Sequence, residues 1–193
     1  MIKKITLILA LLSFTTVANA AWQLDNNNSW LSFLFVKKQD TAEVGQFTRL
    51  EGTVADNGKA EIKIDLGSVN TYIPIRDVRM QAFLFQTTEY PHATLSADLD
   101  MEKVNRLGVG EMIVQPVSVQ LDLHGAKQNI NGNVVVTRLV GNRLLVANQS
   151  ILFINAADFE LIKGIDTLRQ LAGLPRISQV VPISFVLTFH SRQ

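Results

Sequence analysis

Alternation of apolar and polar residues with a period of two is the feature that most constrains the fold of this chain. Residues 61–66 place isoleucine and leucine on one face and charged side chains on the other. Residues 94–101 and 117–124 repeat this pattern. Successive side chains of a strand point to opposite faces, so each segment has one apolar and one polar face. This pattern predicts antiparallel strands with one solvated face, because strands of parallel sheets have continuous apolar runs.

Turn residues separate the alternating segments. Asn57-Gly58 predicts a type I′ hairpin, and Asn131-Gly132 and Gly141-Asn142 predict two further turns. We count about eight strands, with an additional one near Val181. The others begin near Trp22, Leu31, Gln46, Glu61, Thr94, Glu111, Asn133 and Leu144. This all-β pattern with minor helices fits a closed barrel or a two-sheet sandwich.

Two segments have a helical spacing of apolar residues instead. The first covers residues 75–85, with Pro74 near its start and Val78, Ala82 and Phe85 on one face. It predicts a short helix within the otherwise β-rich chain.

The second helical segment runs from residue 156 to about residue 171. Asn155 is suited to cap it, and Gly173 and Pro175 are suited to end it. We expect its apolar stripe to cover one end of the β-structure. The stripe consists of Phe159, Ile162, Ile165 and Leu168.

Residues 1–20 have the three parts of a secretory signal peptide. Lys3 and Lys4 form a positive start, residues 5–14 are apolar, and Ala18-Asn19-Ala20 is a small-residue cleavage site. The apolar run is too short to span about 30 Å of hydrocarbon. We therefore predict cleavage after Ala20, export of the mature chain, and one domain over residues 21–193.

Composition limits the classes of partner. Without the signal, the mature chain has 16 basic and 17 acidic residues, so its net charge of −1 gives no reason to expect nucleic acid or an anionic membrane surface. The chain has no cysteine, which excludes disulfides and lipid attachment through cysteine. Only 18% of residues are charged, so much apolar surface must be hidden in a core, in a cavity or against a partner.

No motif for catalysis or metal binding occurs in the mature sequence. It lacks the G-x-S-x-G and S-x-x-K nucleophile patterns. Its three histidines have no metal-binding spacing, and two of them, His124 and His190, fall on polar strand faces where we expect them to point into solvent. Three carboxylates, Asp65, Asp98 and Asp100, also fall on polar faces. The sequence therefore predicts no catalytic residue, metal or cofactor.

Charged residues interrupt the first helical segment at Arg76, Asp77 and Arg79. One interpretation is structural: Asp77 serves the first helical turn, and the arginines bond to backbone or carboxylate oxygens. The other is that Arg76 or Arg79 binds an anionic headgroup such as a phosphate.

A set of large apolar residues shares one face of the predicted strands. These candidate cavity residues are Phe33, Phe35, Ile62, Ile64, Leu95, Leu121, Leu123, Phe153, Phe185, Leu187 and Phe189. They can fill a dry core, or they can line a barrel that holds one elongated apolar ligand. The period of the pattern is the same in both cases.

Short segments spread over nearly the whole mature chain carry a family resemblance. They are Trp22-Gln23-Leu24-Asp25 with Ser29, Gly45-Gln46-Phe47 with Gly52, Ser68-Val69-Asn70-Thr71 with Arg76-Asp77, Phe85 and Tyr90-Pro91, Leu121-Asp122-Leu123-His124-Gly125, Asp158-Phe159, Gly173-Leu174-Pro175 and Val181-Pro182-Ile183-Ser184-Phe185. Together they resemble the YceI-like family, the polyisoprenoid-binding, lipocalin-like periplasmic proteins.

The resemblance implies an extended antiparallel lipocalin-like β-barrel of about eight strands with a helix at its rim. It also implies a tunnel-like cavity for a long lipid, such as a polyisoprenoid or a fatty-acid derivative. Two positions depart from the family pattern: Asn28 replaces a frequent histidine, and Ala156-Ala157 replace a frequent Arg-Ser pair. If either position helps to hold a polar headgroup, we expect this member to bind a different lipid or none.

Three functional hypotheses follow. The first is a periplasmic carrier that sequesters a long-chain lipid in the barrel without catalysis. The second is a dry barrel that presents an apolar patch over residues 161–174 to a protein partner or a second copy. The third is a hydrolase with a pair of carboxylates in a cleft. A homodimer is compatible with the first two hypotheses.

Overall fold

The computed structural model describes residues 20–192, so residues 1–19 of the predicted signal peptide lie outside the described part. The strand segments are β1 (Ala20–Leu24), β2 (Trp30–Lys37), β3 (Thr41–Phe47), β4 (Leu50–Ala55), β5 (Lys59–Asp65), β6 (Val69–Asn70), β7 (His92–Asp98), β8 (Met112–Leu123), β9 (Ala126–Leu139), β10 (Arg143–Asn148), β11 (Leu152–Asn155) and β12 (Val180–Ser191). The α-helices are α1 (Pro74–Arg79), α2 (Met101–Asn105) and α3 (Ile162–Leu171).

These segments form eight long antiparallel strands in a closed barrel. Four long strands are interrupted, and each consists of two segments: β1 with β2, β3 with β4, β5 with β6, and β10 with β11. Each long strand pairs with the next one along the chain. Strand β12 then closes the barrel, since it pairs with β10 and β11 on one edge and with β1 and β2 on the other. The predicted eight-stranded barrel is therefore confirmed, and the sandwich alternative is wrong.

Side chains replace backbone pairing where the long strands are interrupted. The Ser68 hydroxyl accepts bonds from the backbone N–H groups of Thr48 (3.2 Å) and Arg49 (3.0 Å), and it donates to the Asp65 carbonyl at 2.6 Å. The Asn26 side chain accepts from the Leu50 N–H at 2.6 Å. These bonds satisfy backbone donors that the ladder leaves unpaired.

Other side chains around the barrel also accept hydrogen bonds from backbone N–H groups. The Ser29 hydroxyl accepts from the Thr188 N–H at 2.9 Å, and the Asn148 side-chain oxygen accepts from the Phe185 N–H at 2.8 Å. We call Asn26, Ser29, Ser68 and Asn148 the strand-break residues. They allow the long strands to bend without leaving buried polar groups unpaired.

The turn predictions have mixed outcomes. Gly141 and Asn142 both have positive φ in the β9–β10 turn, as expected. At the β4–β5 turn only Gly58 has positive φ, so this turn is not of type I′. Asn131-Gly132 lies inside β9, so that turn prediction is wrong. The β8–β9 hairpin turns instead at His124-Gly125, where both residues have positive φ.

The strand starts also differ in places. Strand β9 begins at Ala126, ahead of the expected start near Asn133, because polar residues dominate its first half. Strand β3 begins at Thr41, ahead of the expected start near Gln46. The remaining predicted starts lie within two residues of observed segments.

One end of the barrel, which we call the closed end, contains the β4–β5 turn, the segment 99–111 and the β9–β10 turn. Helix α2 buries Met101 and Val104 there. The Leu99 N–H bonds to the Gly58 carbonyl at 2.9 Å, which joins this segment to the β4–β5 turn. Trp22 is buried near the same end, with the Arg138 guanidinium 5.1 Å from its ring centroid.

The opposite end, which we call the open end, contains α1, α3 and the loops around them. A Cβ atom on Gly164 of α3 would lie 2.6 Å from the Phe83 carbonyl oxygen, so the glycine allows α3 to pack closely on the segment after α1. In the apolar stripe expected for the second helical segment, Phe159 and Ile165 are buried and Ile162 and Leu168 are half-buried. The predicted cover at one end of the barrel is therefore present.

Both predicted helices are broken. The first consists of α1 and a π-helical turn, Met80–Leu84, in which the Phe85 N–H bonds to the Met80 carbonyl at 2.9 Å. This wider turn shifts the buried face to Met80 and Phe85, so the expected stripe is wrong at Val78 and Ala82, which are exposed.

The second predicted helix starts as a 3₁₀ turn, Ala156–Phe159, which Asn155 caps by accepting from the Ala157 N–H at 3.2 Å. Glu160 then has a φ of +57°, which ends this turn before α3 begins.

We predict that Ser68→Ala lowers the free energy of unfolding by about 1–3 kcal/mol, because the Arg49 N–H loses the acceptor that the buried Ser68 hydroxyl provides. Urea denaturation of both proteins measures this difference. Ser96→Ala is the matched control: Ser96 is exposed on β7, and we expect a change within about 0.5 kcal/mol. Equal effects of the two substitutions would contradict the role given to Ser68.

Candidate functional site: an apolar cavity in the barrel

The barrel encloses a cavity of about 490 Å³ that its own side chains do not fill. Ten of the eleven candidate residues line it: Phe33, Phe35, Ile62, Ile64, Leu95, Leu121, Leu123, Phe185, Leu187 and Phe189. They come from strands on all sides of the barrel, because the inward face of each strand contributes every second residue. A cavity of this size is within the usual range for small-molecule sites.

Phe153 is the exception among the candidates. Its side chain is 64% exposed, whereas its neighbours Leu152 and Ile154 line the cavity. Residues 151–154 are all apolar, so the alternating pattern does not define which face of β11 points inward. The prediction that Phe153 shares the inward face is wrong.

Aromatic rings form one wall of the cavity. The Phe33 and Phe47 ring centroids are 5.4 Å apart, and those of Phe47 and Phe85 are 5.7 Å apart. Gly45 pairs with Phe33 across the β2–β3 ladder, and a Cβ atom on Gly45 would lie 2.4 Å from the Phe33 ring. The absence of a side chain at Gly45 therefore lets the Phe33 ring lie against the backbone of the wall.

Two residues of this wall, Phe47 and Phe85, were not among the candidates. Phe47 lies near the strand break at Thr48 and Arg49, and Phe85 follows the π-helical turn. Both positions interrupt the periodic pattern, but both belong to the segments that resemble the YceI-like family.

Few polar side chains border the cavity in residues 20–192. The lining residues with polar side chains are Arg76, Arg79, Asn133 and Ser178, and no aspartate or glutamate is among them. Both arginines come from α1, at the open end. A ligand with a long apolar part and a polar or anionic part near α1 therefore suits the cavity chemically.

Arg76 is held by other protein groups. Its Nε donates to the Thr71 hydroxyl at 2.7 Å, and its terminal nitrogens donate to the Thr71 carbonyl at 2.7 Å and to Glu43 at 2.5 Å. The guanidinium also lies 4.8 Å from the Phe35 ring centroid. These contacts match the structural interpretation of the charged helix segment.

Arg79 is bound less extensively. Its guanidinium donates to the Leu171 carbonyl at 3.3 Å, which links α1 to the last turn of α3. Among residues 20–192 it forms no ion pair. Arg79 therefore brings an uncompensated positive charge to the border of the cavity.

Asp77 serves the backbone near the start of α1, as the structural interpretation expects. Its carboxylate accepts bonds from the Thr71 N–H at 2.8 Å and from the Thr71 hydroxyl at 2.5 Å. Since Arg76 bonds to the same threonine, the two side chains hold residues 71–76 in one arrangement.

Glu43 links two cations at this end of the barrel. Its carboxylate bonds to Lys37 and Arg76, and these bonds hold the pKa of Glu43 below its usual value. Glu43 is 33 residues from Arg76 in the sequence and lies on a different element, so local motifs gave no signal for this pair.

The carboxylates considered for catalysis have other partners on the outside of the barrel. Asp65 bonds to Arg49 at 2.7 Å, and Asp98 lies 3.4 Å from Lys59. Asp100 caps α2 by accepting from the Lys103 N–H. None of the three borders the cavity, so the hydrolase hypothesis gains no carboxylate pair from them.

His124 differs from its expected position in solvent. It is half-buried in the β8–β9 turn, where its Nε2 lies 3.0 Å from the Gln86 side-chain oxygen and its ring centroid lies 4.4 Å from that of Tyr90. His190 is exposed, as expected. Within residues 20–192, no group of three or more His, Asp or Glu side chains is placed to hold a metal ion.

Most large apolar side chains of the patch expected over residues 161–174 are not exposed. Leu161 and Ile165 are buried, and Leu168 lines the cavity. Leu171 is the large apolar residue of this segment that is exposed. The expected patch is therefore wrong in its extent, because the helical stripe packs inward.

The two departures from the family pattern lie in different environments. Asn28 is exposed, and its side chain donates to Asp25 at 2.7 Å. Ala156 is buried and borders the cavity, so this position contributes a methyl group to the wall. Ala157 next to it is exposed.

A closed antiparallel barrel with an apolar cavity and short covering helices defines this chain as a ligand-binding barrel by its architecture. The YceI-like domain model matches residues 22–189. The chain therefore belongs to the YceI-like family, and the resemblance seen in the sequence is confirmed. This is a family of binding domains. No curated protein matches the chain.

Solved structures similar to the chain include a polyisoprenoid-binding domain from Saccharophagus degradans implicated in plant cell wall breakdown. It is 42% identical, has a TM-score of 0.89, and the match covers 90% of this chain and 100% of that one. BcnA from Burkholderia cenocepacia is 19% identical with a TM-score of 0.66, over 86% of this chain and 98% of that one. A YceI protein from Campylobacter jejuni is 14% identical with a TM-score of 0.54, over 77% of this chain and 84% of that one.

The last two likenesses are of fold alone. In the described part of the chain, no helix has the length and apolar character needed to cross a membrane.

We predict that Glu43→Gln destabilises the protein more at about pH 7 than at about pH 3. The folded-state pKa of Glu43 is lowered, so its ion pairs stabilise the fold above the unfolded pKa, and this is lost as the pH falls through the folded pKa. Urea denaturation at both pH values measures the effect. Glu61→Gln, at an exposed position on β5, is the control. A difference between wild type and Glu43→Gln that does not shrink at low pH would contradict this role.

Proposed function

We propose that the mature chain is a periplasmic carrier that sequesters one long-chain lipid in the barrel cavity without catalysis. The observation that carries this proposal is the cavity of about 490 Å³ with an apolar lining. A polyisoprenoid or a fatty-acid derivative has the chemistry that such a wall accepts. The likeness to a polyisoprenoid-binding domain at 42% identity supports the same class of ligand.

Burial of the chain supplies the binding energy in this proposal. Each methylene removed from water contributes about 0.8 kcal/mol. Association costs about 4–15 kcal/mol in lost freedom of motion. A chain of about fifteen carbons therefore binds with a surplus only if most of it enters the cavity. Short-chain ligands do not recover this cost, which favours long lipids.

The polar end of the lipid is proposed to lie near α1. Arg76 and Arg79 both border the cavity there, so both are candidates for a headgroup contact. Arg76 already bonds to Glu43 and Thr71, whereas Arg79 has only a backbone acceptor among the described residues. Arg79 is therefore the better candidate to meet an anionic headgroup.

The proposed location rests on the amino-terminal sequence. A positive start, a short apolar run and a small-residue site at Ala18-Asn19-Ala20 support export and cleavage after Ala20. Mass measurement of the secreted protein tests this: the mature chain is expected to begin at Ala21.

The dry-barrel hypothesis has less support than the carrier. A cavity of this size is large for a core that packs only its own side chains, since native interiors contain few voids larger than a water molecule. The second hypothesis also relied on an apolar patch over residues 161–174, where Leu171 is the exposed large apolar side chain and the others are buried or half-buried.

We predict that Phe185→Asp abolishes binding of a fluorescent long-chain fatty acid, because it places a charge in the apolar cavity. The matched control is Phe153→Asp, since Phe153 is exposed on the outside of the adjacent strand. Circular dichroism and thermal unfolding establish that each variant is folded. Unchanged uptake by folded Phe185→Asp would contradict the cavity as the binding site.

A second variant tests the cavity without adding charge. Ala97 borders the cavity, so Ala97→Phe is expected to fill part of it and to reduce the longest chain that binds. Native mass spectrometry with a series of fatty acids and polyprenols measures the accepted lengths. An unchanged length limit in the folded variant would argue against occupancy of this part of the cavity.

A further inference from the structure

Exposed apolar side chains surround the open end of the barrel near α1. Tyr72 is 69% exposed, Val78 57% and Leu171 45%. Ile75 is also exposed, and it borders the cavity as well. The apolar surface is therefore continuous with the proposed binding site.

The backbone holds Tyr72 in this exposed position. Its φ is +63°, in the left-handed region that bulky residues rarely adopt. The Asn70 side chain accepts from the Tyr72 N–H at 2.9 Å, and Thr71 is fixed by Asp77 and Arg76. Strained residues that the surrounding structure fixes in this way are concentrated at functional sites. Tyrosine is also enriched where proteins meet the interface between lipid and water.

Three segments at the open end together carry an excess of positive charge. Residues 37–43, 71–80 and 166–180 contain six basic and four acidic residues, a net charge of +2, whereas the rest of the mature chain has a net charge of −3. Three of the acidic residues bond to neighbouring groups: Glu43, Asp77 and Asp166. Lys38, Arg79 and Arg176 form no ion pair among residues 20–192.

Direct contacts bring these three segments together. The Lys38 N–H bonds to the Arg176 carbonyl at 2.9 Å, and Arg79 bonds to the Leu171 carbonyl at 3.3 Å. Arg76 joins the first two segments through Glu43 at 2.5 Å. The exposed apolar side chains and the unpaired cations therefore belong to adjoining segments at the open end, and we call the surface that they form the mouth face.

We propose that the mouth face docks onto the surface of a lipid bilayer with anionic headgroups. Apolar side chains enter the interface, and lysine and arginine meet the negative lipids around them. The net charge of the whole mature chain gave no reason to expect such a surface, but the uneven distribution of charge does. The role of docking in lipid exchange rests on the proposed carrier function, whereas docking itself does not require a cargo.

Docking provides a direct route for the cargo. An apolar chain that moves through water loses its favourable environment before it reaches the cavity. Contact between the mouth face and the bilayer places the opening against the source of the lipid. The chain then moves from one apolar environment to the other.

Vesicle flotation tests the proposal with the mature protein. The probes are vesicles of phosphatidylcholine alone and of equimolar phosphatidylcholine and phosphatidylglycerol. We expect wild type to float with the anionic vesicles, and the binding to weaken as salt is added. The charge variant is Lys38→Gln with Arg176→Gln, which should bind about fivefold more weakly for each cation removed.

The apolar variant is Tyr72→Asn with Val78→Gln, since asparagine tolerates positive φ and glutamine is a good helix former. We expect at least about tenfold weaker vesicle binding, because each removed side chain no longer enters the interface. The control is Val109→Ser with Val140→Ser, at two exposed valines of the closed end. This control should bind vesicles like wild type.

A separate measurement distinguishes docking from cargo binding. None of the four altered mouth-face residues borders the cavity. Both mouth-face variants should therefore bind a fatty acid delivered from cyclodextrin like wild type, but take it up slowly from anionic vesicles. If wild type binds no fatty acid in solution, the carrier function is wrong. Flotation then tests docking by itself.

Three results would overturn the docking proposal. If wild type floats with neither the neutral nor the anionic vesicles, it has no face that docks onto a bilayer. Equal loss of binding by the closed-end control would show that the mouth face is not the docking site. If analytical ultracentrifugation shows a dimer that the mouth-face variants disrupt, while vesicle binding is absent, the face is an interface with a second copy.

Discussion

Closure of the sheet by β12 is the constraint on which the other features depend. Because β12 pairs on both of its edges, every long strand has two neighbours and one face that must point inward. Eight strands form a ring that is wide enough to leave space between opposite walls. Phe33 lies against Gly45 in the wall, so even a large ring does not close this space. The cavity therefore follows from barrel geometry together with the placement of one glycine.

The barrel fold was predictable because its signal is local and repeated. Alternation along 61–66, 94–101 and 117–124 defines an inward face, and ten of the eleven predicted residues line the cavity. The prediction for Phe153 was wrong because the four consecutive apolar residues 151–154 have no alternation. The strand breaks were not predicted from the sequence, because they depend on partners distant in sequence, such as Ser29 and Thr188, which are 159 residues apart.

The charged segment of α1 shows a second limit of local patterns. Arg76 and Arg79 are similar in sequence, yet Glu43 compensates the charge of one and no carboxylate pairs with the other among residues 20–192. That difference arises from β3, which the sequence does not place beside α1. A mechanism based on burial needs few specific residues. Family membership therefore supports a proposal about the class of ligand more strongly than it supports a proposal about which residue contacts the headgroup.

The two ends of the barrel differ, and this difference gives a direction to the proposed carrier function. At the closed end, Met101, Val104 and Trp22 are buried, and backbone bonds tie the turns together. At the open end, the helices are short or broken, and Arg79 joins α1 to α3 through one bond of 3.3 Å. In the proposed carrier function, the lipid enters and leaves beside α1, where Ile75, Arg76 and Arg79 border the cavity. This is the face that carries the exposed apolar side chains and the unpaired cations.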